Sequence, residues 1–166
     1  MSDRGKKIFL AICIITPFLL YCFYYYGIMI KNAPYKFSEF ESITFKFGLG
    51  DNLVNQYNSK TGNYQYLNSK DSLVKTNVKL TKDDLLYLHR KAAEQGFWNF
   101  PEVFSGSDKT KSLKSPHYYI EYNYKNKSKH VLFDADYNEK QKLGDAARQL
   151  VKEITNVIND AQDRHN

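Results

Sequence analysis

The chain has 166 residues, a formal charge of +6 and two cysteines, Cys13 and Cys22. Both cysteines fall in one apolar stretch near the N-terminus, which excludes a disulfide framework or a cysteine-based zinc site in the remainder. The basicity sits largely at the same end: from Phe37 onward 19 Lys and Arg stand against 17 Asp and Glu, too even a balance for a nucleic-acid surface.

From Ile8 to Ile30 no side chain is charged. At about 1.5 Å per residue such a helix crosses a hydrocarbon core of about 30 Å. A cleaved secretory signal has a shorter apolar run, about 7 to 15 residues, and a small-x-small cleavage site. Neither is present. Lipid attachment needs a small residue before the modified cysteine, yet Ile12 precedes Cys13 and Tyr21 precedes Cys22. Pro17 predicts a kink, which membrane helices tolerate. Arg4, Lys6 and Lys7 precede the span and Lys31 and Lys36 follow it, a bias that places the N-terminus in the cytoplasm. Tyr21, Tyr24, Tyr25 and Tyr26 mark the outer interface. The predicted organisation is a cytoplasmic basic tail (1–7), a signal-anchor span in contact with the lipid bilayer (8–30), a linker (31–36) and one extracytoplasmic domain (37–166), as in a bacterial inner-membrane protein facing the periplasm.

Within the domain, Ile43-Thr44-Phe45-Lys46-Phe47 alternates as a half-buried strand does, with Gly48 and Gly50 ending it. Residues 56–66 form a hairpin around the turn Ser59-Lys60-Thr61-Gly62. After a turn at 68–71, the segment 72–80 sets Val74, Thr76, Val78 and Leu80 on one face of a fourth strand. These strands predict an antiparallel meander. Thr81 followed by Asp84 resembles a capping box, and Gly96 suits the position past a helix end, so a helix spans 82–95. Its apolar arc holds Leu85, Leu86, Leu88, Ala92 and Ala93, with His89 inside it. Phe97, Trp98 and Phe100 follow, stopped by Pro101, and fold back to close the core. A polar loop runs from Glu102 to Pro116. A second hairpin pairs 118–124 with 129–134; with Tyr124 opposite Lys129, Tyr122 meets Val131, Ile120 meets Phe133 and His130 meets Asn123. Asn138 and Gln141 make another capping box. The helix that follows lines up Leu143, Ala146, Ala147, Leu150, Val151, Ile154, Val157, Ile158 and Ala161. The fold class is therefore α+β: a single transmembrane helix, then an antiparallel sheet of a meander plus a second hairpin, with two amphipathic helices packed on one face.

The capped helix ending in Gly96-Phe97-Trp98, the aromatic hairpin and the terminal amphipathic helix together resemble small envelope-anchored proteins of the Bacteroidetes whose function is not characterised. That resemblance covers roughly residues 37–161 and implies an extracytoplasmic domain; it carries over no catalytic residue.

Few constellations suggest chemistry. Asp134, Asp136 and Asn138 occupy the first, third and fifth positions of a calcium loop, but Glu139 stands where the loop needs glycine and Asp145 where it needs glutamate. A polar strand-to-helix turn capped by Asn138 explains the same residues. His89 fits a core histidine better than a metal ligand, and His117 and His130 sit on opposite strands without being adjacent. His130 is expected on the solvent face with Glu121 and Asp134. Ser105-Gly106-Ser107-Asp108 lacks the nucleophile-elbow pattern, Gly48-x-Gly50 lacks a phosphate-binding frame, and Lys109, Lys111 and Lys114 suit a solvated loop. Asp83/Asp84 and Asp134/Asp136 are explained as helix-start acids. No cofactor and no catalytic group is indicated. The expected function is a membrane-tethered binding or assembly module with a protein partner, for which Tyr57, Tyr64, Tyr66 and Tyr119 are contact candidates, although strand tyrosines are also ordinary sheet residues. The alternatives are a tethered immunity or inhibitor protein, and a carboxylate hydrolase.

Overall fold

The computed structural model describes residues 3–31, 35–106 and 114–164, the side chains of 27–31 excepted. The chain divides into two compact units, Met1–Pro34 and Tyr35–Asn166. Half of the linker, with Pro34, and the loop residues Ser107, Asp108, Lys109 and Lys111 lie outside the described residues.

In the first unit α1 is one helix, Asp3–Lys31, which runs through Pro17 without a break. Arg4, Lys6 and Lys7 belong to its first turns. Its stretch Asp3–Tyr26 is long and apolar enough to cross a membrane. Ile8, Phe9, Leu10, Phe18, Leu20 and Phe23 are all more than half exposed, as fits a membrane anchor or a signal sequence.

Among its described residues the second unit is a seven-stranded sheet with two α-helices. In chain order its strands are β1 (Phe40–Leu49), β2 (Asn52–Asn58), β3 (Asn63–Leu67), β4 (Leu73–Asn77), β5 (Val103–Phe104), β6 (Pro116–Tyr124) and β7 (Ser128–Asp134). Helix α2 spans Lys82–Glu94 and α3 spans Gln141–Asp163. Across the sheet the order is β4-β3-β2-β1-β6-β7-β5. All pairs are antiparallel except β5 with β7. This is the expected α+β layout, with the meander β1–β4 joined through β1 to the second hairpin.

Alternation sends one set of strand side chains into the core: Ile43 and Phe45, Tyr57, Tyr64, Ile120 and Tyr122, Val131 and Phe133 are all buried. The apolar arc of α3 supplies Ala147, Leu150, Ile154, Ile158 and Ala161, and α2 supplies Leu88 and Ala92. Each large side chain so buried contributes about 1.5–3 kcal/mol. The Thr81–Asp84 capping box forms as expected, with Thr81 Oγ1 accepting from Asp84 N–H and Asp84 Oδ2 from Thr81 N–H. Asp84 Oδ2 also receives Arg164 Nη2 at 2.6 Å, which ties the end of α3 to the start of α2.

Gly96, at φ 72°, ends α2 and turns the chain into a short 3-10 helix, Phe97–Asn99. The aromatic cluster then closes the core as predicted. Phe97 is fully buried against Tyr122, ring centroids 5.1 Å apart, and Trp98 stacks on Tyr35 at 4.3 Å. His89 lies among Phe37, Phe40, Trp98 and Tyr124 with Nε2 3.0 Å from Tyr35 O. Burial lowers its pKa, and the neutral ring donates to that carbonyl, so it is a core histidine. Tyr124 has the one buried side-chain polar atom without a hydrogen-bond partner among the described residues, its hydroxyl. Tyr124→Phe is therefore expected to stabilise the domain by about 1 kcal/mol, read as a raised denaturation midpoint; an unchanged or lowered midpoint would mean the hydroxyl is satisfied.

Several expectations are corrected. Gly48 does not end β1: the strand continues to Leu49 through a bulge, and only Gly50, at φ 56°, begins the turn. β4 stops at Asn77, after which Val78 leaves the strand and is buried. Ala93 is exposed. The loop after Glu102 begins with β5, because Phe104 is buried against Phe133 at 5.1 Å and Tyr137 at 5.0 Å. In the second hairpin Tyr122 pairs with Lys129, Ile120 with Val131, Tyr118 with Phe133 and Glu121 with His130. The register is two residues from the expected one because the loop is tighter, closed by Tyr124 N–H to Lys127 O at 2.9 Å. Asn138 does not cap α3. The helix starts after Lys140, and the chain before it is held against its first turns by Arg148 Nη1, which donates to both Ala135 O and Tyr137 O at 3.0 Å.

Candidate functional site

Among the described residues the helices leave most of the second face of the sheet uncovered, the buried His117–Asp134 end excepted. Registers carry one row of this face across every strand: Lys75, Gln65, Gln56, Lys46, Tyr119, Leu132 and Val103. The neighbouring row holds Asn77 and Asn63 on one side and Asn58, Thr44, Glu121 and His130 on the other. At about 4.8 Å between strands, the full row spans about 29 Å.

Tyr119 is the aromatic centre of this face. It is half-buried, with Lys46 Nζ 5.5 Å from its ring centroid and the His130 ring stacked 6.0 Å away. Burial and the neighbouring Glu121 carboxylate push its phenol up to about 12, so the hydroxyl stays protonated and can donate. Towards the meander the face is made of amides. Gln65 Nε2 donates to Val54 O at 2.9 Å and Gln56 Nε2 to Leu53 O at 3.1 Å, which fixes both side chains while leaving their Oε1 atoms as acceptors. A groove of about 370 Å³ is lined here by Gln56, Asn63, Gln65 and Lys75 with Tyr64 and Thr76. Tyrosine and amides with few charges suit a protein-contact surface.

Of the other contact candidates, Tyr57 and Tyr66 are not on this face, and Tyr64 borders its groove while burying its side chain. Tyr57 is 1% exposed, with its hydroxyl donating to Val78 O, and Tyr64 is 8% exposed. Both are core residues and offer a partner little surface. Tyr66 is half-buried, with its ring 4.8 Å from that of Tyr64, and packs on the core. Tyr119 alone of the four is placed to contact a partner through the uncovered face.

The calcium candidates separate. Asp134 is 3% exposed rather than solvent-facing, and its Oδ1 lies 2.9 Å from His117 Nε2 while Gly106 N–H donates to Oδ2 at 3.2 Å. Asp136 and Asn138 point to solvent. The carboxylate is thus committed to a histidine, itself 7% exposed, on the other side of which Asp51 Oδ1 stands 3.8 Å from Nδ1. This junction was missed in sequence because it depends on register: His117 is opposite Asp134 only in the observed pairing. Among the described residues no three His, Cys, Asp or Glu side chains gather as a metal site. A second hollow, about 560 Å³, lies beside α2 between Phe37, Phe40 and Leu85, with Ser38, Glu41 and Lys82 at its rim. No family model and no curated protein matches the chain.

Proposed function

We propose that this is a single-pass membrane protein with its basic N-terminus in the cytoplasm, and that its Tyr35–Asn166 domain is an extracytoplasmic binding or assembly module of the bacterial cell envelope. Exposed apolar side chains along α1 support the anchor. The resemblance to envelope-anchored Bacteroidetes proteins fits the same placement. The observation that carries the binding role is the uncovered sheet face with Tyr119 at its centre. Tyrosine brings contact area at little entropic cost, and a protein partner covers an open sheet face better than a small molecule, which needs a concave pocket. A tethered inhibitor or immunity protein would use the same face, and capture of a toxin or hydrolase in place of a structural envelope protein would identify that role.

A photo-crosslinking residue at Tyr119 of the full chain, in its native membrane, tests this. It is expected to capture one defined partner, whereas the same residue at the exposed Tyr87 on α2 captures none. In a chain that carries the crosslinker at Lys46, Tyr119→Ser should lower capture about tenfold. Equal capture from Tyr119 and Tyr87, or none from Tyr119, would overturn the assignment of this face.

A further inference from the structure

β4 is a free edge of the sheet, and its backbone can be followed residue by residue. Asn68 N–H donates to Ser72 O at 3.0 Å, and Val78 N–H to Gly62 O at 2.7 Å. Antiparallel pairs alternate between bonded and non-bonded. Counting from either end, Tyr66 with Val74 and Tyr64 with Thr76 are the bonded pairs. Leu73, Lys75 and Asn77 therefore turn their N–H and C=O groups outward, a ladder ready to take another strand.

Charge and shape narrow the occupant. Lys60, Lys70, Lys75 and Lys79 are all exposed along this edge, and between residues 52 and 82 they face one acid, Asp71. On the outer face, two residues from Lys75, the cross-strand pair Leu67 and Leu73 is 39% and 48% exposed. A second copy of the chain is a poor fit, since symmetric antiparallel pairing centred on Lys75 sets the two Lys75 side chains against each other. We infer that β4 accepts an extended acidic segment of a protein partner by strand addition, with a carboxylate opposite Lys75 and an apolar side chain opposite Leu73. The inference rests on the reading of the domain as a binding module and adds a recognition element to it.

The test uses the full chain in detergent micelles and the blocked peptide Thr-Val-Thr-Glu-Thr-Val-Thr, which places glutamate and valine on one face. Its counterpart with lysine in place of glutamate is the control. With the glutamate peptide, the amides of Leu73, Lys75 and Asn77 are expected to exchange with deuterium about tenfold more slowly, and the protection should fade as salt rises. Lys75→Glu, at an exposed position, should reverse the preference between the two peptides. No protection in β4, or protection indifferent to the peptide's charge, overturns the inference. So does protection that grows with protein concentration alone, which would make a second copy the occupant. Protection confined to β6 around Tyr119 also refutes the edge while leaving the binding reading intact; β4 protection together with failed crosslinking from Tyr119 upholds the edge and removes the sheet face.

Discussion

His117→Ala is expected to lower the stability of the domain by about 3–5 kcal/mol, the cost of leaving a buried charge without its partner. Asp134 is 3% exposed, and without the imidazole at 2.9 Å its carboxylate keeps Gly106 N–H as its donor among the described residues. His117 begins β6, Asp134 ends β7, Asp51 sits in the β1–β2 turn and Gly106 follows β5, so one pair joins four segments. Thermal unfolding of the full chain should show a midpoint about 10 °C lower or more. In a double-mutant cycle, His117→Ala with Asp134→Ala should lose less than the two single changes added together, because the orphaned charge is then gone. A His117→Ala variant within about 1 kcal/mol of the parent would show that the pair contributes no more than a surface contact.

The second large effect is expected at Gly48. Its backbone φ is ordinary, yet a Cβ there would lie 1.8 Å from Asn52 O and 2.8 Å from Asn52 C. Both are backbone atoms of the facing strand, so no rotamer change relieves the overlap. Gly48→Ala should cost about 3 kcal/mol and loosen the β1–β2 hairpin. Gly96 makes the comparison instructive. It holds φ 72°, which disfavours a side chain, but a Cβ there meets nothing within 4 Å, and Gly96→Ala should cost only about 1 kcal/mol. Melting curves of the two variants settle the order. If Gly96→Ala proves the more harmful, the close approach at the bulge is not what fixes glycine at 48.

What the sequence made legible was what local spacing determines. The α2 cap is a contact between Thr81 and Asp84, three residues apart, and the stop at Gly96 needs only its own φ. The α3 stripe from Leu143 to Ala161 repeats with helical period over about five turns, so its buried arc is visible without knowing what it packs against. The misses all depend on distant partners. Alternation in β6 and β7 is unchanged by a slip of two residues, so the pattern of Tyr118, Ile120 and Tyr122 against Val131 and Phe133 fits both registers; only the tight closure at Lys127 chooses between them. β5 is two residues long, too short for any periodicity, and exists because Leu132 N–H donates to Glu102 O and Phe104 fills the space beside Phe133. Asn138 looked like a cap because Gln141 follows it, but Tyr137 is buried against Phe104 and delays the helix. The candidate site divides in the same way. Tyr57, Tyr64, Tyr66 and Tyr119 are indistinguishable as strand tyrosines until registers assign Tyr119 to one face and the other three to the opposite one.

β1 sits fourth in the sheet and pairs along nearly its whole length with β6. In a chain made from its N-terminus, residues 40–49 emerge long before residues 116–124. Neighbours on one side arrive early through the β2 hairpin, but the other side of β1 stays an open edge until most of the domain has been made. The middle of the finished sheet is thus its last seam to close, and the long loop closure that closing it requires falls on contacts distant in sequence.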